Sequence, residues 1–474
     1  MDDPRALRGD APLLDAWLRF REQRPTPFTI PGHKQRTDLV GDVVDGDVPL
    51  YGGLDTMTLA HGRLADAEHR AAVLWGADVC HFSVGGSTHG NQALALALGR
   101  PGDQVVVSRT LHRSMLLGLV LAGLEPVWVH PDLDRATGLP TAVPVRAVAE
   151  ALSRTPGARA VLLGDPSYVG TLGDLGGHAE VAHAHDVPLV VDAAWGAHLG
   201  FHPALPPHAL AQGADAMVVS AHKTLPAWSQ GALVLANTRR IDTDRLARGV
   251  EATHTTSPAG AILASVDAAR ALLARDGETL LGHLLDLVTG ARHRLSEVPG
   301  LVVLEGSEVD PTKLVVVLAG TGADGHVVER FLLDRGLPVE MAGRDTLVPV
   351  VTMADDRASV DALVRAIVNA LTHLAGPPRR PVPSAVWTVE PEVVVPPREA
   401  FFAAHVTVPT LDAVGRVSAE LVAPYPPGVP VLAPGERISA AALEGLDTAR
   451  RQGARIAYAA DPTLATVQVL DECP

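Results

Sequence analysis

Between residues 62 and 240, short runs of apolar, β-rich residues alternate with helical stretches, and few architectures accept that pattern. The runs are Gln104–Ser108, Pro126–His130, Ala160–Asp165, Pro188–Asp192, Ala216–Ser220 and Gly231–Ala236. Each is apolar on successive residues, so both faces of the strand are buried. Strands of this kind separated by helices build a mostly parallel sheet covered on both sides, an α/β fold. Ligands in such sheets collect beyond the carboxyl ends of the strands. Asp165, Asp192 and Ser220 stand at those ends.

The rest of the chain divides around this region. Residues 1–55 hold one short amphipathic segment, Leu13 to Phe20, then Pro/Gly-rich text, and read as an arm. Residues 56–270 form the large domain. Residues 271–376 form a smaller α/β domain with strands Leu301–Leu304, Lys313–Leu318, Pro338–Met341 and Leu347–Thr352. Its closing helix carries Val360, Leu363, Val364, Ile367, Val368 and Leu371 at helical spacing. Seven prolines between Pro377 and Pro397 suit an extended linker over 377–397. Residues 398–474 make a small C-terminal α+β domain.

Composition removes several classes of function. A net charge of −15 argues against nucleic acid and acidic membrane as partners. The two cysteines, Cys80 and Cys473, make neither a disulfide framework nor a metal cluster, so no metal is expected. The most apolar stretch, Leu116 to Val129, falls short of the roughly 18 residues of a membrane span and contains Gly118, Gly123 and Glu125. The acidic, polar start MDDPRALRGD is wrong for a signal peptide. A soluble cytoplasmic protein is expected.

Only three of the 39 basic residues are lysine: Lys34, Lys223 and Lys313. Arginine supplies the generic surface charge, so chemistry that needs a primary amine has three candidates. Lys223 follows Ser220-Ala221-His222 directly after a strand, where desolvation would lower its pKa and make it a nucleophile toward carbonyls. Lys34 lies in the arm and Lys313 opens a strand; neither has that setting.

Two further clusters join it. Ser83-Val84-Gly85-Gly86-Ser87-Thr88-His89-Gly90-Asn91 precedes an Ala/Leu helix, and small or hydroxyl residues at a helix N-terminus suit a phosphate. Taken alone, it could equally be an ordinary capped turn. Asp192 ends a buried strand, where a carboxylate is costly without a cation such as a protonated ring nitrogen. Alone, it could equally be a helix cap or a structural ion pair. Together, a phosphate cup, a carboxylate for a pyridinium and a Schiff-base lysine are what pyridoxal 5'-phosphate requires.

The chain resembles the ornithine/lysine/arginine decarboxylase family of fold-type I pyridoxal-phosphate enzymes. The motifs are PGHK (31–34), GGSTHGN (85–91), SRTLHRS (108–114), DPSYVGTLGD (165–174), DAAWGAHLGFHP (192–203), SAHKTLPAWSQGA (220–232), TTSPAGAILASVDAAR (255–270) and APYPPGVPVLAPGE (423–436). They occur in the family's order over nearly the whole chain, which looks like a short form without the N-terminal wing domain. The resemblance implies an aspartate-aminotransferase-like large domain and a homodimer with a shared active site, a higher oligomer being open. It implies a Schiff base at Lys223, Asp192 on the pyridine nitrogen and His112 stacked on the ring. Ser87, Thr88, Ser220 and His222 would hold the phosphate, and Thr255 would reach the phosphate of the neighbouring subunit. Trp195 would lie beside the phenolic oxygen, and Glu436 would bind the substrate's distal cation. Three positions depart from the family: Gly85 replaces a usual asparagine, His89 a smaller residue and Arg113 a usual lysine.

The implied reaction is decarboxylation of lysine, arginine or ornithine to the amine and CO2, with His222 or Lys223 returning a proton to Cα. The alternatives are a decarboxylase of a modified basic amino acid, and an aminotransferase with Arg344 as its carboxylate clamp. A non-catalytic regulator of the same fold is the remaining class.

Overall fold

The computed structural model describes residues 4–55, 62–383, 387, 389–425 and 428–472. Cys473, and Pro426 and Pro427 of the C-terminal motif, lie outside the described residues, as do four positions of the proline-rich segment, 384–386 and 388. The chain divides into two compact units, Met1–Leu98 with Pro188–Leu281, and Gly99–Val187 with Gly282–Pro474.

The first unit carries strands β1 (Val79–Ser83), β5 (Leu189–Asp192), β6 (Ala216–Val219) and β7 (Ala232–Ala236), in the order β1-β7-β6-β5. Its helices are α1 (Pro12–Gln23), α2 (Thr37–Val40), α3 (Arg63–Leu74), α4 (Gly86–Leu98), the single turn α8 (Ala221–Thr224), α9 (Thr243–Thr253) and the start of α10 (Gly260–Ser296). Every residue of β5, β6 and β7 is buried, as continuous apolar runs require of strands covered on both faces. β7 runs antiparallel to both β1 and β6, so β1, β6 and β5 point the same way. Register then sets the ends level: Ser83 faces Ala232, Val219 faces Leu233, and Asp192 faces Val218. Whatever follows Ser83, Asp192 and Val219 therefore gathers at one edge.

The second unit carries the parallel strands β2 (Gln104–Ser108), β3 (Glu125–Val129) and β4 (Val161–Gly164), ordered β4-β2-β3. Helices α5 (Arg113–Ala122), α6 (Val145–Arg154) and α7 (Leu175–Ala184) alternate with them. A four-stranded antiparallel sheet follows, β10-β11-β9-β8, built from β8 (Val302–Val303), β9 (Val316–Val317), β10 (Met341–Ala342) and β11 (Thr346–Val348). It comes with α11 (Gly325–Leu333) and α12 (Arg357–Leu374), the latter started by a capping box between Asp356 and Ser359. The C-terminal part holds α13 (Pro397–Phe402) and α14 (Ala440–Arg451). It also has two hairpin-like pairs, β12 (His405–Pro409) with β15 (Thr466–Leu470) and β13 (Ala423–Tyr425) with β14 (Arg455–Ala457).

Two features differ from the reading of the sequence. The boundary expected at residue 270 falls inside α10, one continuous helix of 37 residues. The described part of 377–397 is held down rather than running free. Arg379 bonds the Asp345 carboxylate at 2.7 Å and the carbonyls of Gly322, Ala323 and Arg344 at 2.7, 2.6 and 3.0 Å, and Val395 is buried.

Candidate active site

The edge of the first unit begins at the turn after β1. α4 starts at Gly86, whose φ of +69° is a left-handed conformation that favours glycine, and whose N–H donates to the Gln230 carbonyl at 2.8 Å. The N–H groups of Ser87 and Thr88 fall in the first turn, where no helix carbonyl precedes them, and both side chains carry hydroxyls. α4 lies close on the sheet because residue 90 is glycine. A Cβ there would stand 2.8 Å from both Val218 Cγ1 and Val234 Cγ2.

One helical turn on from Ser87, Asn91 is fully buried and donates through Nδ2 to Asp192 Oδ2 at 2.7 Å. The other oxygen of Asp192 accepts the N–H of Ala194 at 3.2 Å. The carboxylate is thus buried at the end of β5 and fixed in orientation by a second element. That satisfies its lone pairs while leaving it able to face a ring N–H.

The segment after β6 supplies the rest. Ser220 is fully buried, and its Oγ has no hydrogen-bond partner among the described residues, a role that a phosphate oxygen would fill. Lys223 is half-buried with Nζ 4.3 Å from the centroid of a Trp195 ring, a cation–π contact that fixes the long side chain. His222 Nδ1 donates to the Gly231 carbonyl at 2.9 Å, which sets its tautomer and ring plane. Thr255 is exposed in the loop after α9, and its Oγ1 accepts the N–H of Ser257 at 3.2 Å. Ser87, Thr88, Asp192, Trp195, Ser220, His222, Lys223 and Thr255 therefore belong to one unit. A helix-start turn bearing two hydroxyls, an oriented buried carboxylate, an orphaned hydroxyl and an aromatic-braced lysine fit pyridoxal phosphate.

His112 and Glu436 belong to the second unit. His112 caps α5, its Nδ1 accepting the N–H of Ser114 at 3.2 Å, and the ring is exposed. Glu436 is already engaged. Its two carboxylate oxygens accept from Arg109 at 2.6 and 2.9 Å, and Oε2 also takes the N–H of Ala433 at 2.8 Å. Both side chains of this bidentate pair are buried, and Arg109 also lies 4.6 Å from a Trp128 ring centroid. A substrate cation would have to compete with that guanidinium for the carboxylate. Arg344 lines a cavity of about 390 Å³ in the same unit with Tyr168, His326 and Trp387. Among the described residues no group of three or more His, Cys, Asp or Glu side chains could hold a metal, and no helix is long and apolar enough to cross a membrane.

Sequence reasoning missed Asn91 and Arg109 as partners, although both lie in quoted motifs. Asn91 was signalled by period: it shares the helix face of Ser87 and Thr88. The pairing of Arg109 with Glu436 joins residues more than 300 positions apart and has no local signal.

Comparison with known proteins places the chain in a family. The model of the Orn/Lys/Arg decarboxylase major domain matches residues 11–307, and that of the Orn/Lys/Arg decarboxylase C-terminal domain matches 382–454. An arginine decarboxylase of Halalkalibacterium halodurans is 32% identical over 97% of this chain and 98% of its own length. That of Bacillus subtilis is 30% identical over 98% of both. Among solved structures, the constitutive lysine decarboxylase of E. coli aligns with a TM-score of 0.80 at 20% identity, over 98% of this chain and 82% of its own. Lysine decarboxylase A of Pseudomonas aeruginosa aligns at 0.81 and 22% identity, over 98% and 81%. These structures share the α/β fold with its mostly parallel central sheet. The chain belongs to the Orn/Lys/Arg decarboxylase family, whose members are pyridoxal-phosphate-dependent amino-acid decarboxylases.

Proposed function

We propose that this protein decarboxylates L-arginine to agmatine and CO2, as a cytoplasmic homodimer whose sites are shared between subunits. The relatives named arginine decarboxylase support arginine over lysine. Four of them match 90–98% of this chain and 96–98% of their own length, whereas the named lysine decarboxylases are 21–26% identical and match 68–76% of theirs. The observation that carries the chemistry is the single edge holding Lys223, Asp192 and the Ser87-Thr88 turn.

Bound there, pyridoxal phosphate supplies the electron sink for the pair left behind by CO2. Lys223 would hold the cofactor covalently through Nζ, braced by Trp195, which would also serve the phenolic oxygen. Asp192, aimed by Asn91, keeps a proton on the ring nitrogen, and this protonated state is what makes the sink effective. Ser87, Thr88, Ser220 and His222 would hold the phosphate, and Thr255 would reach that of the neighbouring subunit. Either His222 or Lys223 Nζ returns the proton to Cα.

The test is a panel of L-arginine, L-lysine and L-ornithine on cofactor-loaded protein, with products identified by mass spectrometry and Lys223→Ala as control. Agmatine from wild type alone is the expected result. Cadaverine or putrescine in place of agmatine would overturn the substrate, and absence of any amine would overturn the decarboxylation.

A further inference from the structure

The residue behind the phosphate turn is unusual. His89 is buried, and its ring nitrogens have two partners: Nδ1 lies 2.8 Å from Ser83 Oγ, and Nε2 lies 3.1 Å from the Val250 carbonyl. Ser83 Oγ in turn lies 3.0 Å from the Gly86 carbonyl and accepts the N–H of Gly85 at 3.2 Å. Counting protons decides the charge this arrangement fits. Carbonyl oxygens only accept, so the Val250 contact requires a proton on Nε2. The Gly86 contact uses the one proton of the Ser83 hydroxyl, so the Nδ1 contact requires a proton on Nδ1 as well. A neutral imidazole leaves one contact with lone pairs facing each other; the imidazolium satisfies all four.

The surroundings oppose that charge while no anion is near. Burial pushes the His89 pKa down to about 4, helped by His254 and His81, while the Val250 carbonyl acts the other way. His254, beyond the end of α9, packs edge-on with ring centroids 4.7 Å apart, and its own pKa is lowered by burial. His81 lies on β1 and is lowered likewise. β6 and β7, which also pack on α4, carry no titratable residue, and Arg248 and Glu251 of α9 are exposed. What would favour the cation is an anion at Ser87 and Thr88, the two residues that precede His89 in the first turn of α4.

We infer that His89 is a positioning residue whose protonation is coupled to binding of the cofactor's phosphate: the phosphate dianion enters, His89 takes up one proton, and the completed relay through Ser83 to the Gly86 carbonyl locks the turn. His89 touches no atom of the reacting centre; it acts through Ser83 and the Ser87-Thr88 turn. His254, whose ring packs edge-on against His89, belongs to the loop that bears Thr255. The inference rests on pyridoxal phosphate binding at this edge, and the experiment separates the two.

The experiment is calorimetric titration of the apo-protein at pH 7.5 in two buffers of different ionisation enthalpy, which yields protons exchanged on binding. Pyridoxal phosphate is compared with pyridoxal, which lacks the phosphate, on wild type and on His89→Asn. Asparagine keeps a donor for Ser83 Oγ but cannot carry the charge. Wild type should take up about one more proton with pyridoxal phosphate than His89→Asn does, and the two proteins should agree with pyridoxal. Between pH 7 and 9, the preference of wild type for the phosphorylated form should fall by up to tenfold per pH unit, a wild-type-only measurement independent of the variant's folding. Equal proton uptake in both proteins, with normal cofactor binding, overturns the role of His89. Absence of any lysine-bound cofactor absorbance in wild type overturns the cofactor site itself.

Discussion

Removing the Glu436 carboxylate separates two uses of that residue. Glu436 and Arg109 are 2% and 3% exposed, their contact is bidentate, and Glu436 also satisfies the N–H of Ala433. Glu436→Ala leaves a buried guanidinium whose remaining partners are the Val431 carbonyl at 3.2 Å and the Trp128 ring. Unpairing a buried ion pair costs about 3–5 kcal/mol. At roughly 2–4 °C of melting temperature per kcal/mol for a unit of this size, the variant should melt about 10 °C lower. The double variant Arg109→Met/Glu436→Leu should recover most of that loss, because it leaves no stranded charge. Thermal melts by circular dichroism read both. A single variant that melts within 2 °C of wild type while its KM for arginine rises tenfold would refute the structural use and return Glu436 to the substrate.

Two other perturbations test the frame of the site. Asp165 is buried at the end of β4 with its carboxyl pushed up to about 7, first by burial and then by Asp310, while the Gly173 N–H pulls the other way. Its folded value is raised, so the stability it contributes is complete below about pH 4 and is lost as pH rises toward 7, by up to about 1.4 kcal/mol per unit. Asp165→Asn should flatten that slope in denaturant melts at pH 5, 6 and 7; parallel slopes would contradict the assignment. Gly90→Ala should cost about 1–3 kcal/mol and weaken cofactor binding, since the new Cβ must push α4 off Val218 and Val234. An unchanged melt would show that α4 can shift freely.

β2, β4, β5 and β6 were legible because burial on both faces writes a continuous apolar run, and β2 has the bounds expected, Gln104–Ser108, whereas β3 is only partly buried. β1 was not read: His81 and Ser83 interrupt its sequence, VCHFS, and only pairing with β7 makes it a strand. The short strands β8 to β11 are two or three residues long, less than the runs suggested, because few of those residues meet a partner. In the candidate site, the clusters at 83–91, at Asp192 and at 220–223 stood out by chemistry and spacing, whereas His112, Trp195, Thr255 and Glu436 came from the family resemblance. The partners were not: Asn91 to Asp192, His89 to Val250 and Arg109 to Glu436 are 101, 161 and 327 positions apart. Contacts at such separation depend on how the strands are ordered, which a single sequence does not spell out.

The turn before α4 also limits what residue 85 can become. A Cβ at residue 85 would lie 2.9 Å from the Cβ of His89, closer than two such carbons sit without one of them moving. Every residue but glycine at 89 carries that carbon, so the constraint on 85 comes from the path of the backbone and not from the imidazole. A larger residue at 85 is admitted only if the turn itself takes another course.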